Sequence, residues 1–251
     1  MIIGVPKEIK ADEYRVGLIP STTGELVTQG HNVAVETCAG EGAGIGDDEY
    51  IAAGARIAAT ADEIFQQSEL IVKVKEPLAP ERKKLRRGQI IFTYLHLAPD
   101  PEQTYDLMNS GVTAIAYETV TDAAGKLPLL APMSKVAGRM APQVAAHYLE
   151  RPYGGRGILL SGVDDVPSAK VVVIGGGVVG QNAAEIAIGM GAEVTVVARS
   201  AETRHSLSQL LQIGSRRDCG SLGRWRHGTQ AHLRRHRRSD EAGRSDRRCL
   251  N

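Results

Sequence analysis

Three polar residues in the first hundred stand apart from their surroundings as candidates for chemistry: Arg15, Lys75 and His96. Arg15 follows ADEY and precedes the strand-like VGLIP; Lys75 closes the run LIVKVK; His96 ends QIIFTYLH. Ligand sites in open α/β sheets collect at the carboxyl ends of strands, where Lys75 and His96 are expected. An arginine fork and a lysine suit an anionic carboxylate, the arginine in bidentate fashion. A histidine titrates near neutrality and can exchange protons with a reacting amine or carbonyl. Each has a plainer reading: a surface charge, a lysine leaving the core, a histidine hydrogen-bonded for structure. Together they suit a small amino or hydroxy acid beside a hydride-carrying cofactor.

The cofactor signal comes later in the chain. KVVVIGGGVVGQNAAEIAIGMGAEVTVV places Gly175, Gly177 and Gly180 after a strand, at the opening of a helix that leads to a second strand. In a dinucleotide fingerprint the first glycine allows the tight turn, the second lets backbone approach a pyrophosphate, and the third lets helix pack on strand. The helix N-terminus adds N–H groups and a positive dipole end. The acidic residue expected at the end of the second strand is replaced by Ala198, followed by Arg199. Three readings stay open: Arg199 receives the 2′-phosphate of NADP, NAD binds weakly without its carboxylate, or the sequence is already unreliable here.

The elements that must position these residues alternate strand and helix. IIGV, NVAVE, LIVKV, QIIFTYL, TAIAYE, KVVVIG and EVTVV read as buried strands. Thr22 and Glu25 suggest a capping box for a helix ending at Gly30, and residues 102–109 a helix stopping before Gly111. Residues 134–151 suggest a long helix broken or kinked near Pro142. The fold class expected is α/β: two Rossmann-like domains with parallel sheets, the second incomplete. The expected divisions are 1–130, a substrate domain; 131–213, a linking helix and partial dinucleotide domain; and 214–251, an unstructured tail.

Composition bounds the function classes. With 42% hydrophobic and 24% charged residues the chain is of globular type, and no apolar run of transmembrane length occurs. MIIGVPKEIK reads as a first strand, not a signal peptide. Cys38, Cys219 and Cys249 make no disulfide framework, so a cytoplasmic location is expected.

MIIGVPKEIKADEYRVGLIP, EGAGIGDDEY, KVKEP, TYLHLA, AYETV and LPLLAPMSKVAG, in this order, closely resemble the bacterial alanine dehydrogenase family, from Met1 to about Val197. The nucleotide-binding subunit of proton-translocating transhydrogenase shares the plan, but KVKEP, TYLHLA and LPLLAPMS look like the dehydrogenase branch. The resemblance implies reversible, NAD-dependent oxidative deamination of L-alanine to pyruvate and ammonia, with NADP the less favoured cofactor. It implies that Arg15 and Lys75 bind substrate, that His96, with Lys75, is catalytic, and that Ser134, Val178, Val179 and Ala198 line the cofactor with the glycines. It also implies a homo-hexamer of two-domain subunits, and a second catalytic residue, an aspartate, on later strands. The alternative is a non-catalytic nucleotide-binding protein related to the transhydrogenase subunit.

From Gly214 to Asn251 the pattern changes. Eleven arginines face four acids, a net +7, leaving −6 on the rest of the chain. The large apolar side chains there are Leu222, Trp225, Leu233 and Leu250, too few to offset the entropy of ordering. A nucleic-acid arm is one reading of the arginines. Cys219, His227, His232, His236 and Cys249 match no compact zinc spacing, so no metal is expected. The favoured reading is a frameshifted, truncated chain whose activity is impaired, with neither nucleic acid nor membrane as a partner.

Overall fold

A computed structural model describes residues 1–201, 203, 205, 207 and 208, and the backbone of 230–233. Two compact units divide between Leu130 and Ala131. In the first, strands β1 (Ile2–Val5), β2 (Asn32–Glu36), β3 (Arg56–Ala58), β4 (Leu70–Val72), β5 (Ile90–Thr93) and β6 (Thr113–Ala116) form one parallel sheet. Its order is β3-β2-β1-β4-β5-β6, so the winding reverses between β1 and β4. A crevice opens at the carboxyl ends of strands at such a switch point.

The helices between them are α1 (Pro20–Thr28), α2 (Asp47–Ala52), α3 (Ala61–Gln67), α4 (Ala79–Arg82) and α5 (Pro101–Ser110). The capping box expected at Thr22 does not form: α1 starts earlier, with Pro20 pre-set for the first turn and Ile19 as a cap without a side-chain bond. Its other end is as expected. Gly30, at φ 85, donates to Val27 O at 2.9 Å while His31 N reaches Leu26 O at 3.1 Å, a Schellman close. In α5, Asp100 caps Gln103 N at 3.0 Å and Gly111 closes with φ 70.

In the second unit, α6 (Ala131–Tyr148) packs on α7 (Val178–Gly189), and β7 (Lys170–Ile174) pairs in parallel with β8 (Glu193–Val197). α6 runs unbroken through Pro142, so of the break or kink expected there the break does not occur. Gly138, one turn before the proline, lies so close to Val179 O that a Cβ would sit 2.3 Å from it. Past residue 208 the described element is β9 (Gln230–Leu233), antiparallel to β8. Of the tail 214–251, expected to be unstructured, only these four residues are described; their backbone ladder needs no apolar side chains, and the rest of the expectation lies outside the described residues. Cys219, His227, His236, Cys249 and the side chain of His232 lie outside the described residues. No helix among the described residues is long and apolar enough to cross a membrane.

Candidate functional site

The loops after β1, β4 and β5 carry the candidate residues of the first unit. β4 ends at Val72 and β5 at Thr93, so Lys75 and His96 each stand three residues past a strand end, not on it. The stretch VGLIP beside Arg15 is not a strand. Gly17 within it lies against β4, where a Cβ would come within 2.6 Å of Val72 O. Only glycine allows the arginine-bearing loop to approach that closely.

Arg15 is held by Glu13. Its N and Nε donate to Glu13 Oε1 at 2.9 and 2.7 Å, and Nη2 contacts Oε2. The guanidinium bonds hold the Glu13 carboxyl below its ordinary range, and Lys75 contributes to the same lowering. Arg15 in turn is raised, chiefly by Glu13, with smaller contributions from Tyr94 and Glu8. Glu13 thus lies in the field of both Arg15 and Lys75, and Tyr94 in that of Arg15. Among the described residues the Lys75 ammonium has no hydrogen bond or ion pair.

Beneath Lys75 lies a buried network that sequence reasoning missed. Lys73 Nζ, fully buried, donates to Glu8 Oε2 at 3.1 Å and to Glu81 Oε1 at 2.6 Å. Glu8 Oε1 accepts from Val74 N at 2.6 Å and Lys75 N at 3.4 Å, and Glu81 Oε2 from Leu78 N at 2.8 Å. Two carboxylates share one ammonium, and burial pushes the Glu8 carboxyl up against the opposing pull of Lys73. The network pins the loop that presents Lys75 to the end of β1.

His96 is exposed and adopts φ 50, a left-handed conformation that β-carbon-bearing residues rarely take. Its ring stacks on Tyr94 at 6.0 Å, and Tyr94 meets the edge of Tyr117 at 5.0 Å. The Tyr94 hydroxyl donates to Leu129 O at 2.6 Å. Arg15, Lys75 and His96 are thereby gathered at one end of the sheet, around Glu13 and Tyr94.

The second unit holds the glycine turn. Gly175 has φ 108 and donates to Val197 O at 2.8 Å, extending the β7–β8 ladder into the turn. Gly177 caps α7, and the place of its missing Cβ is open space. Gly180 is obligatory: a Cβ there would lie 1.9 Å from Gly175 O. The residues therefore fit a bound pyrophosphate, with an open approach at Gly177 and helical N–H groups behind it. Val178 and Val179 open α7 and are exposed, Ser134 lies half-buried in the first turn of α6, and Ala198 is buried just past β8. Gly176, missed in the motif, faces Thr203, Leu207 and Ala198 too closely for a side chain.

Comparison with known proteins bears on both units. A family model described as alanine dehydrogenase/PNT, N-terminal domain, matches residues 4–137, and its C-terminal-domain counterpart matches 141–219. The chain belongs to the alanine dehydrogenase/PNT family. It is 56% identical over 212 residues to alanine dehydrogenase of Halomonas elongata, covering 84% of this chain and 57% of that protein. Alanine dehydrogenase of Bacillus subtilis is 52% identical over 210 residues, 84% of this chain and 55% of that one. A solved L-alanine dehydrogenase aligns with TM-score 0.78 at 51% identity, over 84% of this chain and 58% of that. The transhydrogenase of Sinorhizobium meliloti aligns with TM-score 0.71 at 28% identity, over 84% of this chain and 60% of that. The chain thus spans little more than half the length of these family members.

Proposed function

We propose that this protein carries the alanine dehydrogenase activity of its relatives: reversible oxidative deamination of L-alanine to pyruvate and ammonia with NAD. The observation that carries the reading is the gathering of Arg15, Lys75 and His96 beyond the strand ends at a sheet's switch point. They share a chain with a glycine turn suited to a dinucleotide.

Arg15, oriented by Glu13, and Lys75, presented by the Glu8–Lys73–Glu81 network, bind the substrate carboxylate and the amino or keto centre. Fixed cations at that end of the sheet orient the substrate before any proton moves. A His96 ring nitrogen takes a proton from the water that adds to Cα at the iminium oxidation level and gives it to the amino nitrogen as the C–N bond breaks and ammonia leaves. In the reverse direction it protonates the hydroxyl that leaves as water after ammonia has added to pyruvate. When bound, the nicotinamide supplies the hydride acceptor or donor. Gly175, Gly177 and Gly180 with Val178, Val179 and Ser134 hold the dinucleotide, and Ala198 lies where a ribose-binding carboxylate is expected. NAD is the favoured partner, with NADP the lesser reading through Arg199. The assembled form is a cytoplasmic homo-hexamer by likeness to the family.

The 251-residue chain is itself an impaired enzyme in this reading, because Ala198 offers the ribose hydroxyls no carboxylate and residues 214–251 are poor in apolar side chains. The test is NADH formation from L-alanine by the purified chain, beside Ala198→Asp and a Bacillus subtilis relative. Weak turnover that depends on His96 and improves with Ala198→Asp supports the proposal. NAD binding without turnover, in this chain and in Ala198→Asp alike, favours the non-catalytic alternative. Saturation by NADP in preference to NAD reverses the cofactor assignment, and light-scattering mass decides the hexamer.

A further inference from the structure

Glu118 sits in the short 3-10 turn Tyr117–Thr119 that follows β6. β5 and β6 pair in parallel as far as Thr93 and Ala116. The N–H groups of Leu95 and His96 emerge beyond that ladder, and backbone donors taken from water require acceptors. Glu118 supplies them. Its Oε1 accepts from His96 N at 2.7 Å and Leu95 N at 3.1 Å, and its Oε2 from Leu95 N at 3.2 Å. Charge-assisted bonds of this kind are stronger than neutral ones.

The conformation so held is an unusual one. His96 is one of four non-glycine residues with positive φ among the described residues. Such conformations persist where the surroundings over-determine them, and they cluster at working sites. The Leu95 side chain is buried, which anchors the turn from below, and the His96 ring lies at 14° to the Tyr94 plane above it. Glu118 accepts from the two peptide N–H groups that flank Leu95, while the stacked ring contacts Tyr94.

We infer that Glu118 is a positioning residue: its carboxylate clasps the Leu95 and His96 N–H groups and holds His96 in the left-handed turn that lays its imidazole against Tyr94. The inference deepens the proposed role of His96 as acid and base and rests on that reading for its consequence, though not for its geometry. A competing role, tuning the imidazole by charge alone, makes a different prediction for the amide variant. Glutamine keeps a side-chain oxygen able to accept both N–H groups and loses the charge; alanine loses both.

The experiment is NMR on the full, isotopically labelled 251-residue chain and its Glu118→Gln and Glu118→Ala variants, with pyruvate as the added probe. The wild type is expected to show left-handed Cα and Cβ shifts at His96 and through-hydrogen-bond couplings from the Leu95 and His96 amides to the Glu118 carboxyl carbon. Glu118→Gln should keep the left-handed shifts and Glu118→Ala lose them, with pyruvate affinity about tenfold weaker in the alanine variant. Retention of those shifts in Glu118→Ala, or their equal loss in both variants, overturns the clasp. Should Glu118→Ala fail to fold, the wild-type couplings decide, and their absence overturns it. If the wild type binds no pyruvate, the dehydrogenase reading falls while shifts and couplings still decide the clasp.

Discussion

In β2 of the first unit, Val33 and Val35 enter one core cluster and Ala34 between them enters another; in β4, Val72 and Ile71 divide in the same way. Alternate side chains of a strand point to opposite faces, so helices cover that sheet on both sides. β7 of the second unit has an equally apolar sequence. Val171 and Val173 pack on its cluster, but Val172 and Ile174 are 61% and 86% exposed. The same valine- and isoleucine-rich pattern is thus core in one place and half surface in the other. A strand's sequence states what it can bury, and its neighbours decide what it does bury.

The sharpest way to break the first unit is at its buried charges. Lys73→Met leaves Glu8 and Glu81 buried with no cation between them, and should destabilise that unit by about 3–5 kcal/mol in urea unfolding followed by circular dichroism. A loss under about 1 kcal/mol would mean that the network is not buried as described. The two-faced comparison itself is tested by a pair of truncations. Ile71→Ala, fully buried, should lose about 2–5 kcal/mol, whereas Ile174→Ala should stay within about 0.5 kcal/mol. Equal losses would show that Ile174 is covered in solution.

Gly180→Ala should destabilise the second unit by about 1–3 kcal/mol, since its Cβ meets the Gly175 carbonyl. Gly177→Ala, facing open space, should leave unfolding nearly unchanged and weaken dinucleotide binding instead, as read by calorimetric titration. The smallest expected effect is a slope. Glu8, raised by burial, favours the folded state most fully below its ordinary value of 4.5 and loses that contribution as pH rises through its elevated value. Glu13, lowered by Arg15, has the opposite sign: its contribution is present above 4.5 and lost as pH falls through its depressed value. Glu8→Gln should flatten the decline of stability as pH rises above 4.5, leaving the acid limb. An unchanged profile in urea midpoints across that range would remove Glu8 as its source.

The strand runs were legible because β-branched residues flanked by glycine, proline and charge mark buried strands: seven of the strands, from Ile2–Val5 to Glu193–Val197, were expected. β3 was not, since Arg56–Ala58 is three residues long and too short to show a period. The first helix was misplaced because Thr22 and Glu25 imitate a cap, while Pro20 had already opened the turn. Of the candidate site, Arg15, Lys75 and His96 were legible by type and by nearness to strand ends. The glycine trio was legible by spacing, although Gly176 within it escaped notice because its crowding comes from Thr203 and Leu207.

The sequence by itself determined the α/β alternation, the glycine turn and the residue types available for binding an acid and moving a proton. All of these are written in short windows, where propensity and periodicity act. The tertiary structure alone decided the β3-β2-β1-β4-β5-β6 order, the partnership of Glu8 with Lys73 across 65 residues, and that of Glu118 with His96 across 22. Parallel strands joined by crossovers bring distant loops to one end of a sheet. Neither the buried ammonium between two carboxylates nor the left-handed histidine has a local signature, because each is stabilised by a group that only the folded sheet brings near.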